Sequence, residues 1–136
     1  MAKGFQTGPY EVLFFLALKD GPAYGYELAT RFRKMTRGHI KFSFGTIYPF
    51  LHRMERRGII KSTRETRSGR VYYSLTPKGR TAQKRVFKQI KKSQKEWEEK
   101  LLGILAMNAE VFGRGALQKL LERAKLLTKS SKSSVL

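Results

Sequence analysis

Residues 43–62 read SFGTIYPFLHRMERRGIIKS. Ile47, Phe50, Leu51 and Met54 recur at helical spacing and fall within one narrow arc, so one face of this segment belongs to a core. Ser43 stands where a side-chain oxygen can accept an amide of the first turn, and Gly58 where a helix stops. Pro49 has no backbone donor, so it sits near the helix start or bends the helix. With the apolar arc turned inward, Gly45, Pro49, His52 and Arg56 face outward, flanked by Thr46, Tyr48 and Arg53. A core helix with such an outer face needs a partner for its cations.

The sequence around it supplies the setting. YEVLFFLAL (10–18) is apolar on nearly every side, but it is too short to span a bilayer and carries Glu11. It lacks the basic start and small-residue end of a signal peptide. A buried helix is expected, capped by Thr7 with Pro9 in its first turn, with one side for the core and another for a partner subunit. Asp20-Gly21-Pro22 breaks it. A second helix, from about Tyr24 to Thr36, places Tyr26, Leu28, Ala29, Phe32 and Met35 on one face and Arg31, Arg33 and Lys34 on the other.

After Gly58 the period changes. IIKSTRET and RVYYSLT are rich in β-branched and aromatic residues and flank Arg67-Ser68-Gly69-Arg70, which predicts a β-hairpin with a basic tip. Thr76-Pro77 offers a cap and a first-turn proline for a long fourth helix. Its seam of Phe87, Ile90, Gln94, Trp97, Leu101 and Ile104 resembles that of a helix pairing with another. Residues 116–127 form a separate amphipathic helix, and the polar tail 128–136 lacks periodicity. The expected organisation is a domain over 1–76, a helical region over 77–127 and the tail.

Three helices followed by a basic hairpin is the order of a winged helix-turn-helix, mainly α with a small β wing. In that module the third helix enters the major groove, and the hairpin lies along the neighbouring backbone or in the minor groove. Charge agrees with it. Residues 31–95 hold 20 of the 29 Lys and Arg against two acids, Glu55 and Glu65, a net +18 of the chain's +19. Such a concentration calls for a polyanion, nucleic acid first, with anionic lipid and an acidic protein as the other candidates, and the winged-helix order points to double-stranded DNA. The absence of cysteine removes disulfides and thiolate metal sites and suits a cytoplasmic protein. His39 and His52 lack metal-ligand spacing, and there is no acid–base pair or phosphate-cradling glycine loop, so no metal, cofactor or enzymatic activity is expected.

GPAYGYEL (21–28), SFGTIYPFLHRMERRGII (43–60) and the RVYYSLT-PKGR run (70–80) resemble the PadR family of transcriptional regulators over roughly residues 9–102. The resemblance implies a homodimeric winged-helix repressor whose C-terminal helix and first helix build the dimer. It places the recognition helix at Ser43–Arg57, with Gly45, Thr46, Tyr48 and Pro49 on the family motif. Tyr26 and Glu27 match a Gly-Tyr-Glu element that supports the fold. Phe44 stands where the family usually has proline, and Tyr24 where histidine is common.

The expected DNA contacts are Ser43, Gly45, Thr46, Tyr48, Pro49, His52, Arg53 and Arg56 on the helix, and Arg64, Arg67 and Arg70 on the hairpin. The dimer contacts are Leu13, Phe14, Phe87, Ile90, Trp97, Leu101 and Ile104. Trp97 packs at the dimer seam or lines a cavity for a flat hydrophobic effector, as family members often sense small molecules there. The alternative function is an architectural or RNA-binding winged-helix protein with little sequence preference.

Overall fold

The computed structural model describes residues 9–129, so the cap expected from Thr7 and most of the tail lie outside the described residues. The elements in order are α1 (Pro9–Ala17), β1 (Ala23–Tyr24), α2 (Gly25–Met35), α3 (Phe44–Arg56), β2 (Ile60–Arg64), β3 (Val71–Leu75), α4 (Pro77–Lys92), α5 (Gln94–Phe112) and α6 (Arg114–Lys125), with a closing 3₁₀ turn, Leu126–Thr128. No helix among the described residues is long and apolar enough to cross a membrane.

The chain divides into two compact units, one ending at Phe87 and one starting at Lys88. The boundary falls inside α4 rather than at Thr76–Pro77, where the sequence changes period. The reason is burial: Gly79, Ala82 and Val86 put the first turns of α4 into the core of the first unit.

That core is built from one face of each helix. Phe14 and Phe15 of α1, Leu28 and Phe32 of α2, and Ile47, Leu51 and Met54 of α3 are all buried. Phe14 sits edge-on to Phe15 and to Phe50, with ring centroids 5.5 and 5.2 Å apart. It is fully enclosed within its own chain, so the expectation that it lies on a subunit contact is corrected. Leu13, its neighbour, is only half-buried. Tyr26 also departs from the expected core face of α2. It is 62% exposed and stacks on Tyr24 instead.

Arg31 is drawn away from the basic outer face. Its guanidinium donates to the carbonyl of Ala17, closing the end of α1, and reaches Glu27 at 3.4 Å. The α1 helix has no basic residue in its own last turn, so the cation comes from α2. Gln83 of α4 donates to the Phe15 carbonyl at 2.8 Å, a second tie on the same helix end.

The sheet has one strand more than the hairpin predicts. β2 and β3 pair antiparallel with Ile60 opposite Leu75 and Arg64 opposite Val71. The two-residue β1 then adds to the free edge of β3, Ala23 opposite Tyr73, giving the order β1-β3-β2. This covers one edge that would otherwise expose unpaired backbone groups.

The second unit begins with the end of α4, where the expected long helix is interrupted. Ser93 closes α4, its hydroxyl donating to the Gln89 carbonyl at 2.6 Å, a back-bond that bends helices. Its amide is shared between the Gln89 and Ile90 carbonyls. The new helix α5 runs through Gly103 and stops at Gly113, whose φ of 91° suits glycine. α6 packs against α5, yet neither helix buries a single residue.

α3 and α4 meet at a tight junction. Gly79 accepts no side chain, because a Cβ there would lie 1.9 Å from the Ile59 carbonyl oxygen. Gly79→Ala should therefore destabilise the first unit by about 1–3 kcal/mol or more, through overpacking against backbone. Urea unfolding with an unchanged slope would show it.

Candidate nucleic-acid interface

α3 is fixed at its end and open at its start. The chain leaves α3 through Gly58, φ 74°, whose amide bonds to the Glu55 carbonyl at 2.9 Å while the Ile59 amide bonds to the Met54 carbonyl at 3.0 Å. This is a Schellman closure. Lys78 of α4 then donates to the Arg57 carbonyl at 2.8 Å, placing a cation at the negative end of the helix dipole.

At the start, Ser43 occupies the cap position in extended backbone but makes no side-chain cap bond, contrary to expectation. Its hydroxyl lies 3.1 Å from that of Thr46, and one of the two donates to the other. The amides of Thr46 and Ile47 both go to the Ser43 carbonyl. Those of Phe44 and Gly45 have no intrahelical acceptor, by the geometry of any helix start, and form a place for an anion. No acid occupies the first turn to fill it. Pro49 sits inside the helix and leaves the Gly45 carbonyl without its usual donor.

The outward face is exposed along its length. Gly45, Thr46, Tyr48, Pro49, His52, Arg53 and Arg56 are all solvent-accessible, while Ile47, Leu51 and Met54 are buried behind them. Arg53 lies over the Phe50 ring, 5.7 Å from its centroid. Arg57 is set apart from this face, since it reaches Glu11 of α1 at 3.4 Å.

Tyr48 is 41% exposed and has a defined seat. A Cβ on Gly25, the first residue of α2, would come within 3.0 Å of the Tyr48 hydroxyl and 3.3 Å of its Cζ. The missing side chain at Gly25 is thus what lets the tyrosine lie against α2. Beneath it, burial pushes the phenol of Tyr73 above its ordinary pKa, with Tyr48 and Glu55 adding to the shift.

The hairpin tip sorts three arginines that look equivalent in sequence. Arg64 donates to the Gly69 carbonyl at 3.0 Å and braces the turn, in which Gly69 has φ 69°. Arg70, just before β3, lies over the Tyr24 ring of β1 at 4.7 Å. Arg67 has no bonded partner among the described residues and stands exposed at the tip. Residues 61–70 are exposed throughout.

The arrangement offers an exposed helix with free amides at its tip and cations along its side, and a separate hairpin ending in an arginine. It suits a groove flanked by phosphates. Sequence reasoning did not find the Gly25–Tyr48 seat or Arg31 as a cap. The only sequence trace of the former is a glycine before Tyr26 where no turn is needed.

The residues expected at a subunit contact differ in exposure. Phe87, Ile90 and Trp97 are half-buried, whereas Leu101 is 56% and Ile104 60% exposed. Leu102, Met107, Val111 and Phe112 add to the apolar surface of α5.

The model of the transcriptional regulator PadR-like family matches residues 13–85, just over half of the chain. Among solved structures, a PadR family transcription regulator from Clostridium difficile R20291 is 31% identical, covering 69% of this chain and 99% of that one, with a TM-score of 0.56. A transcriptional regulator from Clostridium thermocellum is 27% identical over 65% of this chain and 85% of that one, with a TM-score of 0.58. The transcriptional repressor CouR, bound to a 23-mer DNA duplex, shares the fold at 22% identity, covering 91% of this chain and 76% of that one with a TM-score of 0.59. No curated protein matches the chain.

The seat of Tyr48 can be tested without touching the ring. Gly25→Ala should displace the Tyr48 ring by a few tenths of an ångström and lower duplex affinity, but by less than Tyr48→Ala does. Circular dichroism and binding by fluorescence anisotropy on the two variants would check both fold and effect.

Proposed function

The chain belongs to the PadR-like family of transcriptional regulators, and on that footing we propose that it is a DNA-binding repressor acting as a homodimer on a pseudo-palindromic operator. The observation that carries this reading is the exposed outer face of α3, with Arg53, Arg56 and His52 beside the open helix start. α3 enters the major groove with Thr46 and Tyr48 leading, and Arg53 reaches a guanine edge or a phosphate. Arg67 at the hairpin tip contacts the backbone alongside. Twofold symmetry sets the half-sites about one helical turn apart, or a multiple of that.

The homodimer rests on α5. Leu101, Ile104, Met107, Val111 and Phe112, each 56–70% exposed, give α5 an apolar surface of the kind that marks an interaction site. A second copy of the same surface covers it. The double variant Leu101→Glu and Ile104→Glu should sediment as a monomer with its first unit still folded. A dimer that survives both changes would place the interface elsewhere.

Binding should be steeply salt-dependent. If the dimer neutralises on the order of 8 phosphates, the slope of log affinity against log salt is about −7. Arg67→Ala should reduce that slope and weaken all duplexes evenly. Thr46→Ala and Arg53→Ala should narrow the gap between a selected site and its scrambled version, by roughly 1–3 kcal/mol for each base-reading group removed. If both variants kept the wild-type ratio, the protein would be an architectural binder instead.

A further inference from the structure

Phe44 is the first residue of α3 and is 46% exposed, yet nothing in the fold uses its ring as core. It stacks on Tyr48, with centroids 5.7 Å apart and planes 28° from parallel. Tyr48 in turn is seated against Gly25. The result is a two-ring apolar step at the mouth of the helix, supported from behind and open in front. Its sequence neighbours Ser43, Gly45 and Thr46 are small and Ile47 is buried, so this pair is the exposed apolar feature of the helix start.

An exposed aromatic pair on a cationic helix calls for an apolar complement on an anionic partner. Among the major-groove edges of the bases only thymine carries a methyl group, at C5, and apolar side chains contact it. Residues at the start of a recognition helix are those that reach base edges. Free amides at the same helix start and arginines along its side give the phosphate contacts that would hold the rings in register.

We propose that Phe44, backed by Tyr48, is a specificity-determining residue that reads the methyl group of one thymine in each half-site. The assignment rests on α3 being the helix that reads the operator. It also separates DNA from RNA at that position, since uracil lacks the methyl.

The test starts from a duplex selected from random sequence with the wild-type protein. Each thymine is then replaced singly by deoxyuridine, which removes the methyl and leaves base pairing intact. Affinities are measured for wild type, Phe44→Ala and Phe44→Leu. One thymine per half-site should respond, with wild-type affinity falling roughly fourfold, the effect of one methyl-sized group leaving an apolar environment. Phe44→Ala should bind the thymine duplex with a similar loss and show no further loss on the uracil duplex. Phe44→Leu should keep part of the response, and thermal melting should show both variants folded.

A wild-type scan without a sensitive thymine overturns the assignment. So does a sensitive thymine that responds equally in Phe44→Ala, or a flat scan combined with a changed oligomeric state, which would put the ring against protein. Selection that yields no preferred duplex is a different failure. It removes α3 as a reader of sequence, and this inference with it.

Discussion

The end of α3 and the start of α4 are held by one small cluster, and the position of everything on the outer face of α3 depends on it. The Thr76 hydroxyl donates its one proton chiefly to the Gly58 carbonyl, with the Ile59 carbonyl 3.2 Å away, and accepts the Gly79 amide at 3.0 Å. It therefore caps α4 and satisfies the turn that leaves α3 with the same oxygen. The Thr76 amide bonds to the Ile59 carbonyl as well, and Lys78 covers the Arg57 carbonyl. Gly79 has to be a glycine because the Ile59 carbonyl approaches it so closely. A helix that must present side chains to a groove within fractions of an ångström cannot have a frayed end, and here the next helix supplies the closure.

The start of α3 is built on the opposite logic. Ser43 and Thr46 bond to each other instead of to the first amides, and Pro49 removes one donor further along. Each choice costs helix stability, since a conventional cap contributes on the order of 1 kcal/mol and an interior proline costs more. The loss is tolerated because Ile47, Leu51 and Met54 anchor the helix through burial. What remains at the tip is a set of backbone groups free to meet a ligand. Packing holds the helix and leaves its polar end available, a division that an isolated helix could not sustain.

The sequence made α3, the hairpin and the outward residues legible because each has a strict period with a glycine or proline boundary. Elements set by distant partners were not legible. β1 is two residues long and exists only because β3 has a free edge. Arg31 looks like one more surface cation until the end of α1 is seen beside it. Phe14 belongs to an apolar run that could face either a core or a partner, and only the rings of Phe15 and Phe50 decide it. The break at Ser93 was hidden because a seam spaced three and four apart continues across it, while the hydroxyl that bends the chain is a common residue in helices.

Charge explains how strongly the protein would bind, but not where. Phosphate contacts are blind to sequence, so the net +18 of residues 31–95 raises affinity for every duplex by the same factor. A regulator with so large a uniform attraction is occupied by competing sites unless other contacts separate one sequence from the rest. Those contacts must be short-ranged and partly uncharged, and they must sit on a rigid base. The start of α3 meets this description, with Thr46, Phe44 and Tyr48 on a helix anchored at its far end and a tyrosine held by the gap at Gly25. In the proposed reading, the cations bring the duplex to the helix, and the few small and aromatic side chains at its tip decide whether it stays.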